Sequence, residues 1–272
     1  MSGFAEQVAW ITGASSGIGA ALARELSRRG AAIVLSGRDM ARLEQVAKDL
    51  AGEHLILPFD VRDEAAMLKA MQDAIDWRDK VDVFIANAGV SQRSLAKDTA
   101  TTVYRDIIEI DLLAQIAATQ ALLPHLIARR TGRLVFISSI AGKVGVPLRT
   151  AYCAAKHGLI GYADALRAEL TPFDVAVHVV CPGSVATDVS RNALTGDGSR
   201  RGHSDSAIDN GIPPDEAAQE IVEGIAAGQR EIIVARGPEQ MLGEARRTPD
   251  AVFDQMARMM ADGYTQKMQG ER

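Results

Sequence analysis

The chain has 272 residues, 47% of them hydrophobic and 24% charged, which is apolar mass enough for a sizeable core and excludes wholesale disorder. With 30 Lys and Arg against 35 Asp and Glu the net charge is −5, and basic residues come no denser than pairs such as Arg129–Arg130 and Arg200–Arg201, so no nucleic-acid partner is expected. Cys153 and Cys181 make no disulfide framework, the N-terminus lacks a charged-then-apolar leader, and no eighteen apolar residues run together, so a cytoplasmic chain without a membrane span is expected.

In chain order, short apolar runs alternate with longer helical patterns. A strand over Val8–Thr12 leads through a Gly-rich turn into a helix with the stripe Ile18, Leu22 and Leu26, closed by Gly30. Strands follow over Ala32–Leu35 and Leu55–Phe59. Asp63 then caps a helix that carries Met67, Met71 and Ile75. After a strand over Val81–Ala86, one long helix is expected from about Thr101 to Arg130, closed by Gly132. The strand Arg133–Ser138, the helix Ala151–Leu170 and the strand Val175–Cys181 complete the repeat. Such regular alternation predicts an α/β protein: a Rossmann-like, doubly wound parallel sheet with helices on both faces, in a single domain.

The pattern breaks over 188–213, a stretch rich in Gly, Ser and charge that reads as a substrate-binding loop or lid. A helix over Pro214–Ala227 and a strand over Glu231–Ala235 precede a C-terminal helical extension, 237–272. There Val252, Phe253, Met256, Met259 and Met260 stand at helical spacing, as packing against the body or a subunit, or as a wall over a pocket.

Two constellations carry chemistry. Thr12-Gly-Ala-Ser-Ser-Gly-Ile-Gly19 sits between strand and helix, where Gly13, Gly17 and Gly19 allow close backbone approach and the helix N-terminus offers free N–H groups to a diphosphate. At the end of the second strand, Arg38 is placed to neutralise a ribose 2′-phosphate, with Ser16 able to donate to the same group; Asp39 is the competing acidic partner for a ribose hydroxyl. This makes NADP(H) the preferred cofactor and NAD(H) the alternative. The second constellation is Ser139, Tyr152 and Lys156. Tyr152 and Lys156 are four residues apart on one helix face. A phenol of pKa about 10 is a poor base at neutral pH, and a neighbouring ammonium favours its phenolate. Ser139 ends a strand at the sheet edge where open α/β folds build their sites. Cys153, beside the tyrosine, reads as a small buried hydrophobe, and the scattered histidines give no metal spacing.

With TGASSGIG (Thr12–Gly19), NAG (Asn87–Gly89), Ser139…Tyr152-x-x-x-Lys156 and PGSVAT (Pro182–Thr187) in order and spacing, the sequence resembles the short-chain dehydrogenase/reductases from about Gln7 to Thr187. The resemblance implies an oxidoreductase interconverting a small-molecule carbonyl and a secondary alcohol. Tyr152 would be the general acid/base, Lys156 would bind the nicotinamide ribose, and Ser139 would orient the substrate oxygen. It also implies cofactor contacts along the glycine turn, from Gly13 through Ser15, Ser16, Gly17 and Ile18 to Gly19. Asp60 and Val61 would lie at the adenine, Asn87, Ala88 and Gly89 along the cofactor, and Pro182, Gly183, Val185 and Thr187 at the nicotinamide end. Members pair through the two long helices, which implies a homodimer or homotetramer. One position departs from the family: Asp111 stands where members carry an Asn that holds a water linked to the lysine. Its main chain can still serve that relay, while its charge is expected to raise the pKa of Tyr152 and Lys156 and so to alter the pH dependence. A catalytically weak nucleotide-binding regulator on the same fold is the alternative function.

Overall fold

The computed structural model of the chain describes residues 3–262. Strands form at β1 (Val8–Thr12), β2 (Ala32–Gly37), β3 (His54–Pro58), β4 (Val83–Ala86), β5 (Gly132–Ile137), β6 (Val175–Pro182) and β7 (Glu231–Val234). They pair parallel in one seven-stranded sheet of order β3-β2-β1-β4-β5-β6-β7. Helices follow at α1 (Gly17–Arg28), α2 (Met40–Ala47), α3 (Glu64–Arg78), α4 (Thr101–Ile108), α5 (Ala114–Arg129), α6 (Thr150–Leu170), α7 (Ser206–Asp209), α8 (Pro214–Ala226), α9 (Gly237–Ala245) and α10 (Asp250–Ala261).

Side chains alternate across each strand, so one sequence feeds two cores. Ala9, Ile11, Ile33, Leu35, Val83 and Ile85 face α1, α2 and α8. Val8, Trp10, Val34, Phe84, Leu134 and Phe136 face α3, α5 and α6. Every residue of β1, β2 and β4 is buried, whereas the edge strand β3 is only half-buried. Strand order reverses between β1 and β4, and the carboxyl ends of the strands there open a crevice that the β1, β4, β5 and β6 termini share.

Three local expectations are corrected. The long helix is continuous through residues 101–129 but contains a π-helical turn at Glu109–Leu113, which separates α4 from α5 and breaks the 3.6-residue period. It is closed by Arg130, not Gly132: Arg130 takes the left-handed conformation (φ 50°, ψ 41°), and Gly132 instead opens β5 at φ 150°, close against Leu126. The tail stripe is not one buried face. Phe253 is buried against Arg167 and Arg230 (4.2 and 5.7 Å from ring centroid to guanidinium), whereas Val252 and Met259 are exposed. The side chains of Met256 and Met260, and residues 263–272, lie outside the described residues.

The segment 188–213 has structure of its own. Leu194 bridges Gln92 and Arg200, Thr195 to Ser199 form a turn, and α7 ends the stretch.

Candidate active site

The crevice begins at the glycine turn. Thr12, last in β1, accepts backbone N–H bonds from Asn87 and Ala88 on its Oγ1 (3.1 and 3.2 Å). Asn87 returns its side-chain amide to the carbonyls of Thr12 and Gly13 (2.9 and 3.2 Å), tying the β1 and β4 ends together. Gly13 has φ 65°, and a Cβ there would lie 2.8 Å from the Ala88 Cα; one on Gly19 would strike the Gly13 carbonyl and the Asn87 amide. Gly17 (φ 54°) faces Thr187, which stands over the turn. Ser16 is extended and makes no side-chain cap, so the first-turn amides of α1 are left for another acceptor. Ser15, Ser16, Gly17, Arg24 and Thr187 line an open cleft of about 460 Å³. A backbone this closely packed, with uncapped amides at a helix N-terminus, fits a dinucleotide diphosphate. Val185 is buried in the apolar core, so only its backbone could touch a cofactor, whereas Ile18 is half-buried against the same core.

At the β2 end, Arg38 is 62% exposed, and its nearest carboxylate is Asp60 at 4.0 Å. Asp60 is already gripped by Arg62, through Nε (3.1 Å) and Nη2 (2.7 Å). These hydrogen bonds outweigh burial and hold the Asp60 carboxyl below its ordinary pKa. Asp39 caps α2, accepting from the Arg42 N–H (3.1 Å). Val61, next to Asp60, packs half-buried against the core.

The second half of the site hangs on α6. Lys156 Nζ lies 5.6 Å from the centre of the Tyr152 ring, on the same helix face. The lysine is buried. It donates to the Ile137 carbonyl at the end of β5 (3.0 Å) and faces Asp111 Oδ2 at 3.1 Å. Asp111, in the π turn, is fully buried and accepts the Val90 N–H on Oδ1 (2.8 Å). Burial works against the Lys156 charge, but Asp111 and Tyr152 outweigh it and hold the ammonium above its ordinary pKa. Burial raises the Asp111 carboxyl, with Lys156 and the Val90 amide opposing. Gly89 borders this pair: a Cβ there would lie 2.9 Å from Asp111 Oδ2 and 3.3 Å from Lys156 Nζ.

Ser139 follows β5, half-buried. Its Oγ accepts from Ala141 N (3.1 Å) and donates to the Pro182 carbonyl (3.3 Å), so β5 and β6 meet at this hydroxyl. Neighbouring Ser138 donates to the Lys156 carbonyl (3.0 Å), which presses the β5 exit onto α6. Gly183 N–H bonds the Val234 carbonyl at 2.9 Å. Cys153 is buried, its Sγ accepting from Val146 N at 3.3 Å. Among the described residues no His, Cys, Asp and Glu cluster could hold a metal ion.

Three supports escaped the sequence reading. Gln92, fully buried, accepts the Ala151 N–H (2.8 Å) just before Tyr152 and donates to Ser94 and Thr99 (3.0 Å each). Gln115 donates to the Ala88 carbonyl (2.5 Å). Glu239 on α9 grips Ser184 through its N–H and hydroxyl (2.7 and 2.8 Å), fixing the turn after Pro182. Glutamine and glutamate at such positions have no local pattern, and only the pairing of distant segments reveals them. Segment 188–213 is pinned in the same way: Asp205 takes Arg93 (2.8 Å), Arg201 (2.5 Å) and Ser190 (2.9 Å), with Arg149 at 3.8 Å. Burial opposes its ionisation, but those donors hold the Asp205 carboxyl well below its ordinary pKa.

Residues 7–197 match the family model described as short chain dehydrogenase. The chain is 37% identical over 235 residues to dehydrogenase/reductase SDR family member 7B of Xenopus laevis, covering 83% of this chain and 72% of that protein. Among solved structures it resembles a short chain dehydrogenase/reductase from Burkholderia phymatum in complex with NAD (TM-score 0.77, 21% identity, 86% of this chain and 90% of that one). It also resembles a metagenomic short-chain oxidoreductase in complex with NADP (TM-score 0.71, 31% identity, 85% and 98%).

Proposed function

The chain belongs to the short-chain dehydrogenase/reductase family, and from that membership we propose that it is an NADP(H)-dependent oxidoreductase interconverting a carbonyl and a secondary alcohol, with Tyr152 as general acid/base. The observation that carries this reading is the Tyr152–Lys156 pair on α6, with the ammonium 5.6 Å from the phenol ring and buried at the mouth of the sheet crevice. When bound, the dinucleotide supplies or takes up the hydride at the reacting carbon. In reduction Tyr152 gives its phenolic proton to the carbonyl oxygen, and in oxidation it takes that proton back. Lys156 places positive charge beside the phenol and has a donor left for a ribose hydroxyl. Ser139 holds the substrate oxygen with its hydroxyl. The first-turn amides of α1, with Ser15, Ser16 and Thr187, bind the diphosphate.

NADP(H) is favoured over NAD(H) because Asp39 is occupied as a helix cap while Arg38 projects into solvent, free to meet a 2′-phosphate bidentately. The related structures carry NAD in one case and NADP in the other. We place the chain in the cytoplasm, consistent with two buried free thiols, and as a homodimer or homotetramer. The helix spanning Thr101–Arg129 is long and apolar enough to cross a membrane by length and composition alone. Its residues Leu122 and Leu126 pack onto the sheet, and we assign its outer apolar face, Leu113 included, to a subunit contact.

Mixing the protein with NADPH and a panel of ketones and aldehydes tests the proposal. NADPH consumption is expected on at least one carbonyl, and Tyr152→Phe is expected to lower kcat by about 10²–10⁴-fold with NADPH binding retained. Binding without turnover on every carbonyl would support the regulator reading instead.

A further inference from the structure

We infer that Asp111 is a positioning residue whose carboxylate serves as the fixed counter-ion of Lys156, so that the site holds Tyr152 as the proton-bearing phenol and is poised to reduce a carbonyl. This deepens the reading of Tyr152 as general acid/base and rests on it.

The geometry leaves the carboxylate little freedom. Asp111 is fully buried in the π turn, its Oδ1 is held by the Val90 N–H at 2.8 Å, and Oδ2, with no aligned hydrogen-bond donor among the described residues, faces the Lys156 ammonium at 3.1 Å. The lysine is equally confined, with one donor on Ile137 O (3.0 Å) and one side turned to Asp111. An ammonium has three donors, so one remains for the crevice. Gly89 leaves the space the pair occupies, since any larger residue would place its Cβ 2.9 Å from Oδ2. The groups that face the pair come from the β4 exit, the β5 end, the π turn and α6. Of these, Asp111 and Tyr152 act on the Lys156 charge, and Lys156 and the Val90 N–H act on the Asp111 carboxyl.

The consequence follows from charge. A lone ammonium favours the phenolate; an ammonium cancelled by a carboxylate at 3.1 Å does so far less. An Asn at 111 would keep an oxygen for the Val90 amide and leave the ammonium uncompensated. The compensated pair therefore extends carbonyl reduction to higher pH and delays alcohol oxidation to more alkaline conditions.

The test reads Tyr152 directly in the cofactor-free protein. The tyrosinate absorbance of the wild type minus that of Tyr152→Phe isolates this one phenol, and the same difference is taken in the Asp111→Asn background. The midpoint is expected to fall by about one pH unit in Asp111→Asn, which is about tenfold more phenolate at a pH below both midpoints. The pH profiles of kcat/KM for reduction and oxidation are expected to shift down together by the same amount. An unmoved midpoint, or a midpoint that rises, overturns the inference. Should the Asn variant fail to fold, Asp111→Ser, which also removes the charge, carries the same reading. The two levels separate cleanly. If Tyr152→Phe is fully active, the general acid/base reading fails whatever Asp111 does; if Tyr152→Phe is inactive and the Asp111→Asn midpoint is unmoved, only the counter-ion inference fails.

Discussion

Arg38 and Asp39 are neighbours of opposite charge, and the backbone between β2 and α2 gives them different work. Asp39 spends its carboxylate on the Arg42 N–H and pairs with the Arg42 guanidinium at 3.5 Å, so it is poorly placed to take a ribose hydroxyl as well. Arg38 keeps its guanidinium in solvent beside an Asp60 already held by Arg62. Arg38→Ala is therefore expected to raise KM for NADPH by about 10–100-fold, the worth of a charge-assisted pair, with little change for NADH. Steady-state kinetics with both cofactors checks this, and equal losses would mean that Arg38 does not read the phosphate. The sequence favoured Arg38 and kept Asp39 as its competitor, because an N-cap is made only when the helix that needs it has formed. Asp111 was legible as a departure from the family whose charge would act on Lys156, but not the geometry of their contact, since the π turn that carries it has no composition signal.

At the scale of elements, the segment 188–213 is held by one carboxylate among several cations. Asp205 gathers Arg93 and Arg201 within 2.8 Å, and the Arg93 side chain is only 7% exposed. Asp205→Ala leaves a nearly buried guanidinium without its carboxylate, held, among the described residues, only by Ser91 and the Gln92 carbonyl. A local loss on the order of 2 kcal/mol, about 30-fold more frequent opening, is expected for this segment. Faster tryptic cleavage within 188–213 and a raised KM for the carbonyl substrate, with global unfolding little changed, would show it; unchanged cleavage would mean that the backbone bridges at Leu194 suffice. Gly, Ser and charge marked this stretch as irregular, yet its anchors, Arg93 and Asp205, are 112 residues apart. The closure of the long helix shows the same limit at shorter range. Glycine is the residue expected at a left-handed position, but Gly132 was needed in β5 for close approach to Leu126, and Arg130 took the strained cap instead.

At the scale of the whole molecule, one source of acid sensitivity lies on β6, the strand next to the β7 edge of the sheet. His178 on β6 is buried (2% exposed), with Nδ1 2.6 Å from the Gln229 carbonyl and Nε2 without a partner among the described residues. Burial pushes its pKa down from 6.5 to about 4. The unfolded chain thus binds a proton near pH 6.5 that the folded chain refuses until about pH 4. The His178 contribution is fully present above pH 6.5 and is lost as pH falls to about 4, on the order of 3 kcal/mol in all. His125, also depressed by burial, acts in the same direction. Denaturant unfolding from pH 7 down to pH 4 is expected to show falling stability, and His178→Gln to flatten that slope. An equal slope in the variant would place the acid sensitivity elsewhere.

What the sequence by itself determined is the architecture and the local placement of the groups proposed to react. Strand alternation specifies two covered faces, glycines at 13, 17 and 19 specify a turn that no larger residue fits, and a Tyr and a Lys four apart must share a helix face. Those signals are local, because period and backbone conformation are read within a few residues. Only the tertiary structure decided which charges compensate one another. Lys156 with Asp111, Asp205 with its arginines, and Glu239 with Ser184 are pairings between segments far apart in the chain, made when burial removes water and leaves each charge or dipole no other partner.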